Sequence, residues 1–138
     1  MAKEEGPDET PLTDPKDAIW TRVGGSAATG LSAYGLKWTA NSATSAKITK
    51  DTAEKLVLLS SGDWDIETLE DLSAAVDAAS DIAEYTGVSA TAASKNDYTD
   101  ILGVKKGSDY YIIKIVSSTV ATGASTTITI NVKYKEEE

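Results

Sequence analysis

The side chains that most often carry enzymatic chemistry are missing from this sequence. Its 138 residues include no cysteine and no histidine. Without cysteine there is no thiolate nucleophile and no cysteine zinc site. Without histidine the chain lacks the usual general base near neutral pH and the commonest metal ligand. We therefore predict that the protein is not an enzyme and that it uses no metal and no cofactor.

A carboxylate-based hydrolase is the catalytic alternative that stays open. Glycosidases need two carboxyl groups about 5–9.5 Å apart, and the chain has 22 acidic residues, but no pair stands out. Asp63, Asp65 and Glu67 alternate like the start of a calcium loop. An EF-hand needs Gly and Glu where this sequence has Thr68 and Ala74. The acidic cluster therefore predicts the capped start of a helix instead.

Aromatic side chains are the best candidates for ligand contact. The chain has three Trp and six Tyr but no Phe, so most of these rings are expected to fill the core. Trp20 and Trp38 lie in strand-like patterns, so we assign them to the core. Trp64 lies in an acidic loop before a helix, whereas Tyr110 and Lys114 share one face of a strand. Our candidate ligand-binding residues are Trp64, Tyr110 and Lys114.

The last third of the chain predicts a three-stranded antiparallel meander. Residues 110–116 are a nearly continuous run of β-branched and aromatic residues, which predicts a central strand covered on both faces. Residues 126–134 alternate between apolar side chains and Thr, Asn or Lys, which predicts a strand with one solvent-facing side. Residues 101–106 form the first strand, and turns are expected at 107–109 and 121–125.

The first part of the chain predicts further strands, at residues 19–23, 35–39, 46–50 and 55–60. Each segment is short and rich in apolar or β-branched residues, as strands are. Loops of small and polar residues separate them.

One amphipathic helix is predicted over residues 66–85. Apolar side chains recur there every three to four positions. Asp65 or Thr68 can cap its start, and Gly87 can end it. The complete pattern predicts an α+β fold: a mostly antiparallel sheet of about five to seven strands with one amphipathic helix packed on a face.

Acidic segments at both ends indicate how the chain is organised. Residues 1–17 contain all three prolines and predict a disordered acidic leader. Residues 18–134 predict a single α+β domain, and residues 135–138 an acidic tail. The net charge is −9 and no basic stripe is present, so we expect no nucleic-acid binding. No apolar run reaches the roughly 18 residues of a membrane span.

Four segments carry a family resemblance. They are residues 20–25 (WTRVGG), 29–38 (TGLSAYGLKW), 100–115 (DILGVKKGSDYYIIKI) and 126–135 (TTITINVKYK). Together they resemble small secreted lipoproteins of gut Bacteroidetes, in which an acidic, proline-containing leader joins a lipid-bearing Cys to a short α+β domain. The resemblance implies a location in the cell envelope or outside the cell, although this sequence contains neither a signal peptide nor the anchoring Cys.

We interpret the chain as a non-catalytic, envelope-tethered domain that binds a partner, either another envelope protein or a glycan. We expect a monomer that reaches the membrane only through a lipid anchor. The alternative is a structural or assembly module, such as a decoration module, whose exposed strand edges join neighbouring copies. The acidic tail opposes such pairing.

Overall fold

The computed structural model describes residues 10–23, 29–39, 47–88, 94–121 and 127–137. Within these ranges the chain forms two short 3-10 helices, Ser32–Tyr34 and Ser61–Asp65. It also forms one α-helix and nine strands: β1 (Lys16–Val23), β2 (Leu36–Thr39), β3 (Lys47–Lys50), β4 (Lys55–Leu59), α1 (Leu69–Ala78), β5 (Glu84–Tyr85), β6 (Ser94–Lys95), β7 (Ile101–Lys106), β8 (Asp109–Ala121) and β9 (Thr127–Glu136). No helix in the described ranges is long and apolar enough to cross a membrane.

The main sheet has six antiparallel strands and contains the predicted meander. Its strand order is β1-β9-β8-β7-β4, and the short strand β6 also pairs with β8. Strands β7, β8 and β9 follow one another in the chain and in the sheet, as predicted. The turn between β7 and β8 falls at Gly107, whose φ of 62° suits glycine. The turn expected at 121–125 lies largely within residues 122–126, outside the described residues.

Strand β8 is the centre of the fold because both of its faces are buried. Tyr111, Ile113 and Ile115 face one layer, whereas Ile112 faces the other. The predicted cover on both sides is therefore confirmed for this part of the strand. β8 continues past the predicted end at residue 116. A bulge between Ile115 and Ser117 shifts the register against β9 by one residue, because Val116 has no partner there.

A second, three-stranded sheet covers one face of the main sheet. Its order is β2-β3-β5, and it buries Trp38, Ile48 and Tyr85. These side chains join one core cluster with Trp20 of β1 and the apolar face of β9. Trp20 and Trp38 are thus core residues, as predicted. The α+β class and the mostly antiparallel sheet are confirmed, but the sequence did not indicate that the strands divide between two sheets.

Helix α1 covers the opposite face of the main sheet and is shorter than predicted. Leu72 and Val76 are fully buried against β4, β7 and β8. Thr68 caps the helix, since its side-chain oxygen accepts a hydrogen bond from the backbone N–H of Asp71 at 3.2 Å. The helix spans Leu69–Ala78, not residues 66–85.

Tertiary contacts end the helix before Gly87, the residue expected to stop it. Asp81 accepts a hydrogen bond from the backbone N–H of Leu56 at 2.9 Å and pairs with the ammonium group of Lys50 at 2.5 Å. These bonds fix the chain beside β4 and β3 and lead it into β5, where Tyr85 pairs with Ile48. A strand therefore replaces the last part of the predicted helix.

The folded domain extends beyond the predicted range of residues 18–134 at both ends. Leu12 is buried, Pro11 forms a bridge with Thr68, and β1 begins at Lys16. Residues 10–17 therefore belong to the folded body and not to a disordered leader, while residues 1–9 lie outside the described residues. Strand β9 likewise continues to Glu136, because its last residues pair with the start of β8.

Helix α1 lies so close to the sheet that Gly103 of β7 cannot carry a side chain without a shift of its neighbours. A β-carbon at this position would lie 2.8 Å from Cγ2 of Val76 and 2.9 Å from Cγ2 of Val57. We expect Gly103→Ala to lower the free energy of unfolding by about 1–3 kcal/mol, because it overpacks a filled core. Urea denaturation measures this change. Gly62→Ala, whose β-carbon would meet no atom within 4 Å, is the matched control and should lie close to the wild type.

A buried tyrosine makes the stability depend on pH above neutrality. Burial, and next the hydrogen bond to Asp100 at 2.5 Å, raise the pKa of Tyr85 far above its usual value. Below about pH 10 both the folded and the unfolded state keep this phenol proton. Above it the unfolded state releases the proton and the folded state does not, so stability falls as the pH rises.

We expect Tyr85→Phe to be about 1–3 kcal/mol less stable than the wild type at neutral pH, because Asp100 loses its partner. The difference should shrink above about pH 10. Denaturation curves measured at a series of pH values test this. Tyr110→Phe is the control: it removes a phenol that contacts Asp77 and not Asp100, so the loss of stability that Tyr85 causes above about pH 10 should remain. A Tyr85→Phe curve parallel to the wild type over the alkaline range would contradict the assignment.

Candidate binding surface

Among the residues that the structure describes, none covers part of the main sheet on the side where helix α1 packs. Helix α1 packs on β4, β7 and the first half of β8. The uncovered residues alternate along three strands. They are Asp17, Ile19, Thr21 and Val23 of β1; Thr127, Thr129, Asn131 and Lys133 of β9; and Ser117, Thr119 and Ala121 of β8. We call these residues, together with Val116, the open face. Ile19 and Val23 are 58% and 44% exposed.

Strand register arranges the open face in rows that run across three strands. Ser117, Asn131 and Ile19 form one row, and the next contains Thr119, Thr129 and Thr21. Neighbouring strands are about 4.8 Å apart, and alternate residues along a strand are about 7 Å apart. The open face is therefore a grid of hydroxyl and amide groups with apolar positions on β1. The solvent-facing side predicted for β9 is confirmed.

Side chains in these rows contact one another. Asn131 donates a hydrogen bond from Nδ2 to Oγ of Ser117 at 2.9 Å. The ammonium group of Lys133 lies 2.7 Å from a carboxylate oxygen of Asp17. A shallow cleft of about 260 Å³ lies here and is lined by Ile19, Asn131, Lys133 and their neighbours. These contacts fix the positions of the polar groups on the open face relative to one another.

Trp64 lies beside the open face, on the 3-10 helix Ser61–Asp65. This short helix is fixed by a capping box, in which a carboxylate oxygen of Asp63 accepts hydrogen bonds from the backbone N–H and the hydroxyl of Ser60, both at 3.0 Å. Asp63 thus takes part in helix capping, but at the 3-10 helix and not at the start of the predicted α-helix. Trp64 is half-buried and packs against the core beneath α1.

The side chain of Lys135 contacts Trp64 and fixes its position. Its ammonium group donates hydrogen bonds to the carbonyl oxygens of Trp64 and Ile66, at 2.5 and 2.6 Å, and lies 4.7 Å from the centre of the indole ring. Burial lowers the pKa of Lys135, and the nearby carboxylates of Glu67 and Asp65 oppose that effect. The sequence suggested a solvated tail here, but Lys135 pairs with Ile112 and so points under the 3-10 helix.

A second cleft, of about 320 Å³, opens between Trp64 and Lys114. We call it the Trp64 cleft. Its lining residues come from the 3-10 helix, the segment before β7, and β8: Ser61, Trp64, Asp65, Tyr98, Thr99, Ile101 and Lys114. The ammonium group of Lys114 lies 5.9 Å from the centre of the indole ring, within the range of a cation–π contact. Lys114 pairs in register with Lys133, so the Trp64 cleft adjoins the open face.

The structure brings together two of the three residues chosen from the sequence. Trp64 and Lys114 line one cleft. Tyr110 lies elsewhere, because helix α1 packs over this end of β8. Its hydroxyl donates a hydrogen bond to Asp77 of α1 at 3.3 Å, and its ring lies 5.9 Å from the ammonium group of Lys105. Tyr110 therefore supports the helix and does not join the other two residues.

Three residues of the candidate surface were not predicted from the sequence: Asp17 and Ile19 on the open face, and Lys135, which positions Trp64. Asp17 and Lys135 were assigned to the leader and the tail, although both continue the alternation of the strands next to them. Ile19 was placed in a strand, but its strand partner was unknown. In the part of the chain that the structure describes, no group of three or more acidic side chains is arranged to hold a metal ion.

Comparison of the chain with protein-family models, with curated proteins and with solved structures finds no match. The resemblance to secreted lipoproteins of gut Bacteroidetes therefore stays a prediction.

The position of Trp64 depends on Lys135, and this can be tested by substitution. We expect Lys135→Met to lower the free energy of unfolding by about 1–3 kcal/mol, because two carbonyl groups lose their donor. It should also increase quenching of tryptophan fluorescence by acrylamide. Trp20 and Trp38 are buried, so the quencher reports mainly on Trp64.

Lys133→Met is the matched control, two residues away on the same strand and the same face. Its ion pair with Asp17 is solvent-exposed, so its loss should cost at most about 1 kcal/mol. Equal stability and equal quenching in the two variants would show that Lys135 does not position Trp64.

Proposed function

We propose that this protein is a non-catalytic binding domain of the cell envelope and that its ligand is a glycan bound along the open face and the Trp64 cleft. The observation that carries the proposal is the uncovered grid of Thr, Ser and Asn side chains that ends at an indole ring. Sugars offer hydroxyl groups to such polar rows and apolar ring faces to aromatic side chains. The absence of His and Cys supports a role without catalysis.

The shape of the surface favours an extended ligand over a small, enclosed one. Both clefts are shallow, and they are linked through the neighbouring residues Lys114 and Lys133. Polar groups presented on β-strands are rigid, so little conformational entropy is lost when a ligand binds. A short oligosaccharide lying across β8, β9 and β1 meets hydroxyl, amide and ammonium groups in turn.

A protein partner is the second candidate, and the exposed apolar side chains of β1 favour it. Ile19 and Val23 lie on the open face, where a protein partner would bury them. The acidic N-terminal segment and the resemblance noted above support the proposed envelope location and the proposed lipid anchor.

Edge-to-edge assembly has less support. Thr21 on the outer edge of β1 exchanges backbone hydrogen bonds with Thr29, at 2.8 and 3.2 Å. On the outer edge of β4, Leu56 is bonded by Asp81 and Ile82. Both edges are thus partly occupied, which limits strand pairing between copies. A monomer agrees better with these contacts.

Amide NMR spectra of the full chain, recorded with a panel of neutral and acidic oligosaccharides, test the proposal. We expect shifts at Trp64, Asn131 and Lys133. Asn131→Ala should weaken binding about fivefold, the effect of one lost hydrogen bond. Trp64→Phe should weaken it while keeping an aromatic ring in the core. Lys37→Ala, on the outer face of the small sheet, is the control and should bind like the wild type.

Two results would contradict a glycan ligand. One is the absence of shifts with every oligosaccharide, and the other is a set of shifts confined to the small sheet. If an envelope protein binds instead and Ile19→Asp abolishes that binding, the partner is a protein.

A further inference from the structure

We propose that the Trp64 cleft is a subsite for an acidic sugar, one whose ring carries a carboxylate or another anionic group. This inference rests on the proposed function, because it names the class of glycan that the same surface selects. Four features of the described residues carry it: the ammonium group of Lys114, the indole of Trp64, the carboxylate of Asp65 and the hydroxyl-bearing side chains around them.

Lys114 is a cation without an anionic partner within the described part of the chain. No carboxylate there lies within 4.0 Å of its ammonium group. Its contact is instead with the ring of Trp64 at 5.9 Å. The neighbouring Lys133 has Asp17 as a partner at 2.7 Å. The available positive charge on this part of the surface is therefore that of Lys114.

The strand register places a second cation next to Lys114. Lys114 lies directly opposite Lys133 on the same face of the sheet, and like charges in such positions repel each other. An anion that binds Lys114 would relieve the repulsion and form a charge-assisted hydrogen bond. Lys114 is partly buried beside Trp64 and Ile101, so solvent screens its attraction for an anion less than at a fully exposed position.

The rest of the cleft suits a sugar ring and not a small inorganic anion. Trp64 and Ile101 form an apolar wall, while Ser61 and Thr99 offer hydroxyl groups. Asp65 also lines the cleft, where its carboxylate can accept hydrogen bonds from the hydroxyl groups of a ring and its negative charge limits the number of anionic groups that the cleft accommodates. The cleft therefore matches a ring with several hydroxyl groups and a single negative charge. A volume of about 320 Å³ lies at the small end of the range for ligand sites.

Three oligosaccharide probes of equal length test the subsite on the full chain. They are an oligogalacturonate, the neutral galactose oligosaccharide of the same linkage, and a singly sulfated form of the neutral one. Affinity is measured by titration calorimetry, and the site is located by amide NMR. We expect the oligogalacturonate to bind about tenfold more tightly than the neutral probe, the effect of one charge-assisted hydrogen bond. The amides of residues 61–65, 99–101 and 114 should shift.

Two charge-neutralising variants identify the group responsible. Lys114→Gln should remove the preference for the acidic probe, so that the ratio of the affinities for the acidic and the neutral probe falls from about ten to about one. Lys37→Gln changes the net charge equally but lies on the far sheet, so it should keep the preference. Equal loss in both variants would assign the preference to overall charge and overturn the subsite.

The remaining outcomes separate this inference from the proposed function. If the acidic and neutral probes bind equally well, the subsite is refuted and glycan binding stands. If the sulfated probe binds more tightly than the carboxylated one and Lys114→Gln removes that preference, the anionic subsite is supported with sulfate as its group. If none of the probes binds, the subsite is refuted, and the oligosaccharide panel described above decides whether glycan binding fails as well.

Discussion

Strand β8 has to be buried on both of its faces, and the layers of this protein follow from that requirement. A run of Tyr, Ile and Val side chains on both sides of one strand is stable only between two covers. The small sheet β2-β3-β5 supplies one cover and helix α1 the other. Strand β9 pairs with β8 from Tyr111 to Ala121, and β7 pairs with the first part of β8, from Asp109 to Lys114, so the main sheet is assembled around β8.

The two covers differ in reach, and this difference creates the candidate surface. A ten-residue helix is about 15 Å long, whereas a strand of 13 residues extends for about 43 Å. Helix α1 therefore cannot cover β8 from end to end. Where the cover ends, the side chains on the helix side change from Ile112 to Lys114 and then to Ser117 and Thr119. The composition of the strand matches the change from core to solvent.

Trp64 marks the border between the covered and the open part of this face. Its ring closes the edge of the core under α1 and forms one wall of a cleft. The charges around it have different roles: Lys135 is buried and bonded to backbone carbonyl groups, whereas Lys114 has no anionic partner within the described residues. The same type of side chain thus stabilises the 3-10 helix in one position and lines a cleft without an anionic partner among the described residues in the other.

The sequence by itself determined the meander β7-β8-β9, the apolar face of the helix and the core role of Trp20 and Trp38. These features depend on local periodicity and on turn residues, which a single chain segment already contains. The end of the helix was decided by Asp81, which bonds to β4 and β3, and the inclusion of Leu12 and Lys135 was decided by strands far away in the chain. The candidate site follows the same division. Trp64 and Lys114 could be selected from the sequence by residue type. The register of β8 against β9 and the packing of α1 brought these two residues together and separated Tyr110 from them. Neither effect could be predicted, because contacts between distant segments leave no periodic signal in the sequence.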